Sequence, residues 1–120
     1  MSKISTRFYN DHEVRAVWDE EHSKWWFSAV DIVAAITESP NPRKYWSVLK
    51  NRLKKAGDEL TTRCSQLKMT SADGKKYATD CYSQDDITEL VKAIPSKKAK
   101  DFLDWFTYSD NTITPVRDKK

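Results

Sequence analysis

"NPRKYWSVLKNRLKKAG", residues 41–57, is the stretch on which the reading of the whole chain turns. It packs six cationic residues and the adjacent aromatics Tyr45 and Trp46 between two helix punctuation marks. Asn41 suits an N-cap, Pro42 the first helical position, and Gly57 the residue just past a helix end. On a helical projection Pro42, Tyr45, Trp46, Leu49, Leu53 and Ala56 share one arc. Arg43, Lys44, Ser47, Lys50, Asn51, Lys54 and Lys55 fill the opposite arc. The spacing therefore predicts an amphipathic helix with a core side and an outer side of cations mixed with short hydrogen-bonding groups. Tyr45 and Trp46 fall on the core side, which favours packing over stacking on single-stranded bases.

Upstream, the first 27 residues read as strands. "EVRAVWDEEHSKWWFS" alternates Val14, Ala16 and Trp18, breaks at Asp19–Ser23, and resumes with Trp25 and Phe27. That is a half-buried hairpin around a polar, glycine-free loop of several residues. "STRFYN" before it can add an edge strand. "SAVDIVAAI" then predicts a buried helix over 29–36, with Ser28 and Asp31 at capping-box spacing.

Downstream, residues 61–82 predict a second hairpin, turned at Asp73-Gly74, with Lys68, Lys75 and Lys76 near its tip. Leu67 and Met69 alternate on one strand, as do Tyr77, Thr79 and Cys81 on the other. "SQDDITELVKAI" predicts a helix capped by Ser83, with Ile87, Leu90, Val91 and Ile94 as its stripe. Pro95 stops it. Ser96 can cap a last helix with Ala99, Phe102, Leu103 and Phe106 inward. After Tyr108 the periodicity is lost, so residues 1–108 are expected to form the domain and 109–120 a disordered tail.

The fold class expected is a small single α+β domain with two β-hairpins and about four helices. Its order of hairpin, helix, helix, hairpin, helix, helix is like that of a winged helix-turn-helix. One core suits 120 residues with 38% hydrophobic and 32% charged composition. The absence of a long apolar run or secretory pattern points to a cytoplasmic protein without membrane contact. Cys64 and Cys81 make no disulfide framework and read as small buried thiols that could face one another across the hairpin.

Charge is unevenly spread. Residues 43–76 hold ten Lys or Arg against Asp58, Glu59 and Asp73, net +7, which leaves the rest of the chain net −4. Such asymmetry suits an anionic partner, although long cationic side chains also serve simply to solvate a helix. Arg43, Lys50 and Lys54 suit phosphates, Ser47 and Asn51 suit base edges in a major groove, and Lys68, Lys75 and Lys76 suit the neighbouring backbone. Catalysis has little to draw on. His12 and His22 stand at no metal-ligand spacing, and two glycines supply no phosphate-cradling loop. The chain reads as a non-enzyme with no metal and no cofactor.

The joint order of "WFSAVDIVAAI", "NPRKYW…LK", "ADGKKYATD" and "IPSKKAKDFLDW", from Glu13 to Thr107, resembles the Bro-N domain. That is the N-terminal module of prophage antirepressors, baculovirus repeated-ORF proteins and DNA damage-inducible protein D. The resemblance implies a small α+β DNA-binding module of mobile-element regulators, whose members typically carry a second, C-terminal domain. It implies no particular base-reading residue. Two functions follow as expectations. One is a regulatory module that binds duplex DNA through the basic helix and basic hairpin. The alternative is an antirepressor-type module that binds a repressor or another DNA-processing protein without itself binding DNA. There, Trp105 and Tyr108 on the last helix would offer an apolar contact. A homodimer through that helix is compatible with both.

Overall fold

The computed structural model describes residues 4–9, 11–71 and 73–112, with side chains within 6–107. It is an α+β domain built on one five-stranded antiparallel sheet. The strands are β1 (Ile4–Tyr9), β2 (His12–Asp19), β3 (Lys24–Ser28), β4 (Ser65–Thr70) and β5 (Lys76–Ser83). The helices are α1 (Ala29–Thr37), α2 (Pro42–Lys55), α3 (Ile87–Lys92) and α4 (Ala99–Thr112). None of the described helices is long and apolar enough to cross a membrane.

The expected element order holds, with edge strand β1 added. What that order leaves out is that the two hairpins are a single sheet, ordered β1-β2-β3-β5-β4. The join is short: Trp26, Phe27 and Ser28 of β3 pair with Ser83, Tyr82 and Cys81 of β5. The likeness to a winged helix-turn-helix extends no further than the order of elements.

Cross-strand register explains which residues are buried. Ala16 lies opposite Phe27, and Phe27 opposite Tyr82, so all three share one face. With Val14 they are fully buried against Ile32, Val33 and Ile36 of α1 and Phe102 and Phe106 of α4. α1 packs against β2, β3 and β5. The β2–β3 loop turns without glycine because Ser23 takes the left-handed conformation, with φ 54°. Trp18 and Trp25 face each other across that hairpin, edge to face at 5.3 Å.

Several boundaries differ from expectation. Thr61–Arg63 are not strand. Asp58 caps a 3-10 turn over Glu59–Arg63 by accepting the Leu60 N–H at 2.9 Å. Ser83 ends β5 instead of capping α3, and its hydroxyl bonds the Asp86 carboxylate at 3.3 Å. Ser28 does cap α1 through the Asp31 N–H, but Asp31 does not complete a capping box, because its carboxylate is taken by Arg15. Arg15 donates from Nε at 2.7 Å, from Nη2 at 3.1 Å and from its backbone N–H at 2.9 Å. α4 continues to Thr112, past the expected limit at Tyr108, and residues 113–120 lie outside the described residues. Trp105 turns inward onto Tyr9 and Phe102, at 5.4 and 5.3 Å between ring centroids. The Tyr108 side chain is outside the described residues.

Candidate nucleic-acid interface

α2 has the punctuation its sequence predicts. The Asn41 side chain accepts the Lys44 N–H at 3.2 Å, and Pro42 is the first helical residue. At the other end the Asp58 N–H reaches the Leu53 carbonyl at 3.0 Å, and the Gly57 N–H reaches Lys54 at 3.1 Å. That paired closure needs a left-handed residue, which Gly57 provides with φ 72°. Trp46 and Leu49 are buried, and Pro42, Tyr45 and Leu53 half-buried, so the predicted core arc faces inward except at its end, where Ala56 is exposed. Trp46 meets Tyr82 edge-on at 6.0 Å.

The outer arc is not uniform. Arg43, Lys44, Ser47, Asn51, Lys54 and Lys55 are exposed, as are Lys68, Lys75 and Lys76 on the hairpin. Lys50 is different. Its ammonium lies 2.8 Å from the Asp80 carboxylate, which also accepts Trp46 Nε1 at 2.8 Å and Gln66 Nε2 at 3.0 Å. Burial pushes the Asp80 carboxyl up, but the hydrogen bonds from Lys50, Trp46 and Gln66 outweigh it and hold the group below its usual range. Bonding to Asp80, only partly offset by burial, raises Lys50 above the ordinary lysine value. Lys50 is thus a clamp between α2 and β5, whereas the sequence assigned it to a phosphate. Asp80 was missed at the sequence level. A signal existed: in "KKYATDCYS" it alternates with inward Tyr82, and a carboxylate on an inward position needs a partner.

The clamp sets the geometry of the basic surface. Gln66 lies opposite Asp80, Lys68 opposite Ala78, and Thr70 opposite Lys76, so these side chains share the face on which α2 sits. Lys68 and Lys76 continue that face beyond the clamp toward the hairpin tip. Arg43, one helical turn before Trp46, borders Ala78, Thr79 and Asp80 in a shallow cleft. Its charge reaches the tip as well. Asp73 is held below the usual carboxylate range by the Tyr77 hydroxyl and the Lys75 N–H, and Arg43 adds to the effect. Helix and hairpin therefore present one surface.

Among the described residues none of Arg43, Lys44, Lys54, Lys55, Lys68, Lys75 or Lys76 is ion-paired. By contrast Arg15, Lys24, Arg63 and Lys98 all have carboxylate partners. Two α2 residues fall on neither predicted arc: Arg52, which is exposed, and Val48, which is 50% exposed. The cysteines do not face one another. Register sets Cys81 opposite Ser65, and both thiols are free, Cys81 buried and Cys64 half-buried.

The chain has no significant match among curated proteins or among solved structures. A family model does match it: that of the BRO family, N-terminal domain, over residues 13–115. Since that match spans most of the 120 residues, the chain belongs to the BRO family and carries its N-terminal domain, Bro-N.

Proposed function

We propose that this Bro-N domain is a non-enzymatic, cytoplasmic DNA-binding module of a prophage or mobile-element regulator. It grips duplex DNA with the outer face of α2 and with the hairpin β4–β5. The observation that carries this reading is the continuous surface of exposed cations that have no ion-pair partner among the described residues, running from Lys54 and Arg43 on α2 to Lys68 and Lys76 on the hairpin. An unpaired surface cation loses no protein partner when it meets a phosphate, and counterion release then drives binding. Ser47 and Asn51, exposed between the cations of α2, are short enough to reach base edges, and Asn51 can bond adenine bidentately. Lys50 acts by position: with Asp80 it fixes α2 on the hairpin, so the two grips keep a set spacing.

The test is fluorescence anisotropy of a labelled random-sequence duplex across a salt series. Affinity that falls log-linearly with salt, with a slope of about −0.9 per phosphate engaged, is the expected result. No binding at low salt would overturn the reading and leave the alternative, a module that binds a repressor or another DNA-processing protein without DNA.

A further inference from the structure

The flank of α2 turned away from the hairpin has a different character. An open cavity of about 390 Å³ lies between the helix and Pro95. Tyr45 and Leu49 line it, one half-buried and the other buried, and Val48 stands at its edge with 50% of its surface exposed. Lys44 and Arg52 line the same cavity, and neither is ion-paired among the described residues. No acid among the described residues lines it. The two cations are eight residues apart on one helix, about 12 Å along its axis. Between them is apolar surface.

Phosphate groups satisfy only half of this pattern, because a sugar-phosphate backbone offers little to cover Val48, Leu49 and Tyr45. A peptide segment satisfies all of it: carboxylates meet the cations, and a branched side chain between them excludes water from the groove. In an extended peptide about four residues span the distance, at roughly 3.3 Å each. We propose that this groove docks an acidic segment of a partner protein, seating one apolar side chain against Tyr45, Val48 and Leu49 and pairing flanking carboxylates with Lys44 and Arg52. This site is separate from the hairpin-side grip of Arg43, Lys68 and Lys76, and it does not rest on the DNA-binding reading.

The test is selection from a random twelve-residue phage-displayed peptide library on the wild-type protein. Enriched peptides are then synthesised, labelled and titrated by anisotropy. The expected outcome is enrichment of sequences with two carboxylates flanking an apolar residue, binding at least tenfold more weakly to Val48→Glu and to the Lys44→Glu/Arg52→Glu double variant. Both changes lie on exposed helical positions, and an unaltered thermal midpoint confirms that the fold is intact. A milder Val48→Ala variant replaces Val48→Glu should the latter fail to fold. No enrichment, enrichment of peptides lacking acids, or undiminished binding to the folded variants would overturn the proposal. So would light scattering showing a wild-type dimer that Val48→Glu dissociates, since the occupant would then be a second copy of this chain.

Discussion

Lys50 Nζ lies 2.8 Å from Asp80 Oδ2, so the central cation of the basic helix face is committed within the protein. The same carboxylate oxygen accepts the Trp46 indole N–H, and the other accepts Gln66. One acid on β5 thus gathers two residues of α2 and one of β4. Helix and hairpin are joined by this group together with the edge-on contact of buried Trp46 on Tyr82 of β5.

The clamp is asymmetric in its energetics. Asp80→Ala leaves a half-buried ammonium and a buried indole N–H without partners, and should cost about 2–3 kcal/mol. Lys50→Ala leaves Asp80 with its Trp46 and Gln66 bonds and should cost only about 1 kcal/mol. Urea denaturation of the two variants checks the order. Equal losses would show that the ion pair, and not the three-donor carboxylate, is the unit that matters.

pH dependence follows from the same group. The folded Asp80 carboxyl lies below its unfolded value near 3.9, so its contribution is present above that pH and lost as pH falls through the lower, folded value. Lys50 is raised, so its contribution is complete below about 10.4 and fades as pH climbs through the folded value. The stability difference between wild type and Asp80→Asn should be flat near neutrality and shrink below pH 4. A difference that stays constant to pH 2, measured by urea midpoints, would exclude ionised Asp80 as its source.

The basic surface makes a separable prediction for DNA. Arg43→Glu/Lys54→Glu on the helix and Lys68→Glu/Lys76→Glu on the hairpin should each weaken binding to random duplex and flatten the salt slope, by about 0.9 for each phosphate no longer engaged. Lys92→Glu, on α3, should do neither. Asn51→Ala should leave random-duplex affinity nearly intact but cost about 1–3 kcal/mol at a selected site. Anisotropy with random and selected duplexes distinguishes these outcomes.

Neither thiol is poised to react. Burial pushes Cys81 up to about 12 and also raises Cys64, where the charge of Asp80 adds to the effect. At pH 7.5 iodoacetamide should modify the half-buried Cys64 slowly, and Cys81 only on unfolding. Mass spectrometry of a labelling time course gives the order.

Elements defined by local chemistry were legible in the sequence. Asn41, Pro42 and Gly57 bracket α2 because capping bonds and positive φ are satisfied within a few residues of chain. Val14, Ala16 and Phe27 were readable as core because the strand period sorts them. Long-range pairings were not. Nothing near Ser28 announces that β3 pairs with β5, so the two hairpins read as separate units. Nothing near Lys50 announces Asp80, thirty residues later, so an internal clamp read as a phosphate contact. Val48 was passed over because an apolar residue on a cationic face matches neither half of an amphipathic pattern.

Arg15 and Asp31 illustrate the same long-range logic in the scaffold, and they carry the last prediction. Arg15 on β2 grips Asp31 at the start of α1 with two side-chain bonds, and its Nη1 donates to the Thr70 carbonyl at 2.9 Å. One guanidinium therefore ties β2, α1 and the far end of β4 together. Bonding to Asp31, partly offset by burial, raises its pKa. A lysine keeps the charge but cannot reproduce a planar fork that meets both carboxylate oxygens and a carbonyl. Arg15→Lys should therefore lose more than about 1 kcal/mol, and Arg15→Ala, which leaves the half-buried Asp31 carboxylate with only the backbone N–H of residue 15 in place of the guanidinium, about 2–3 kcal/mol. In both variants amide exchange around Thr70 and the β4–β5 turn should accelerate more than exchange in α4, which Arg15 does not touch. Should Arg15→Lys match wild type in stability and in exchange at Thr70, the fork geometry is irrelevant and only the charge counts.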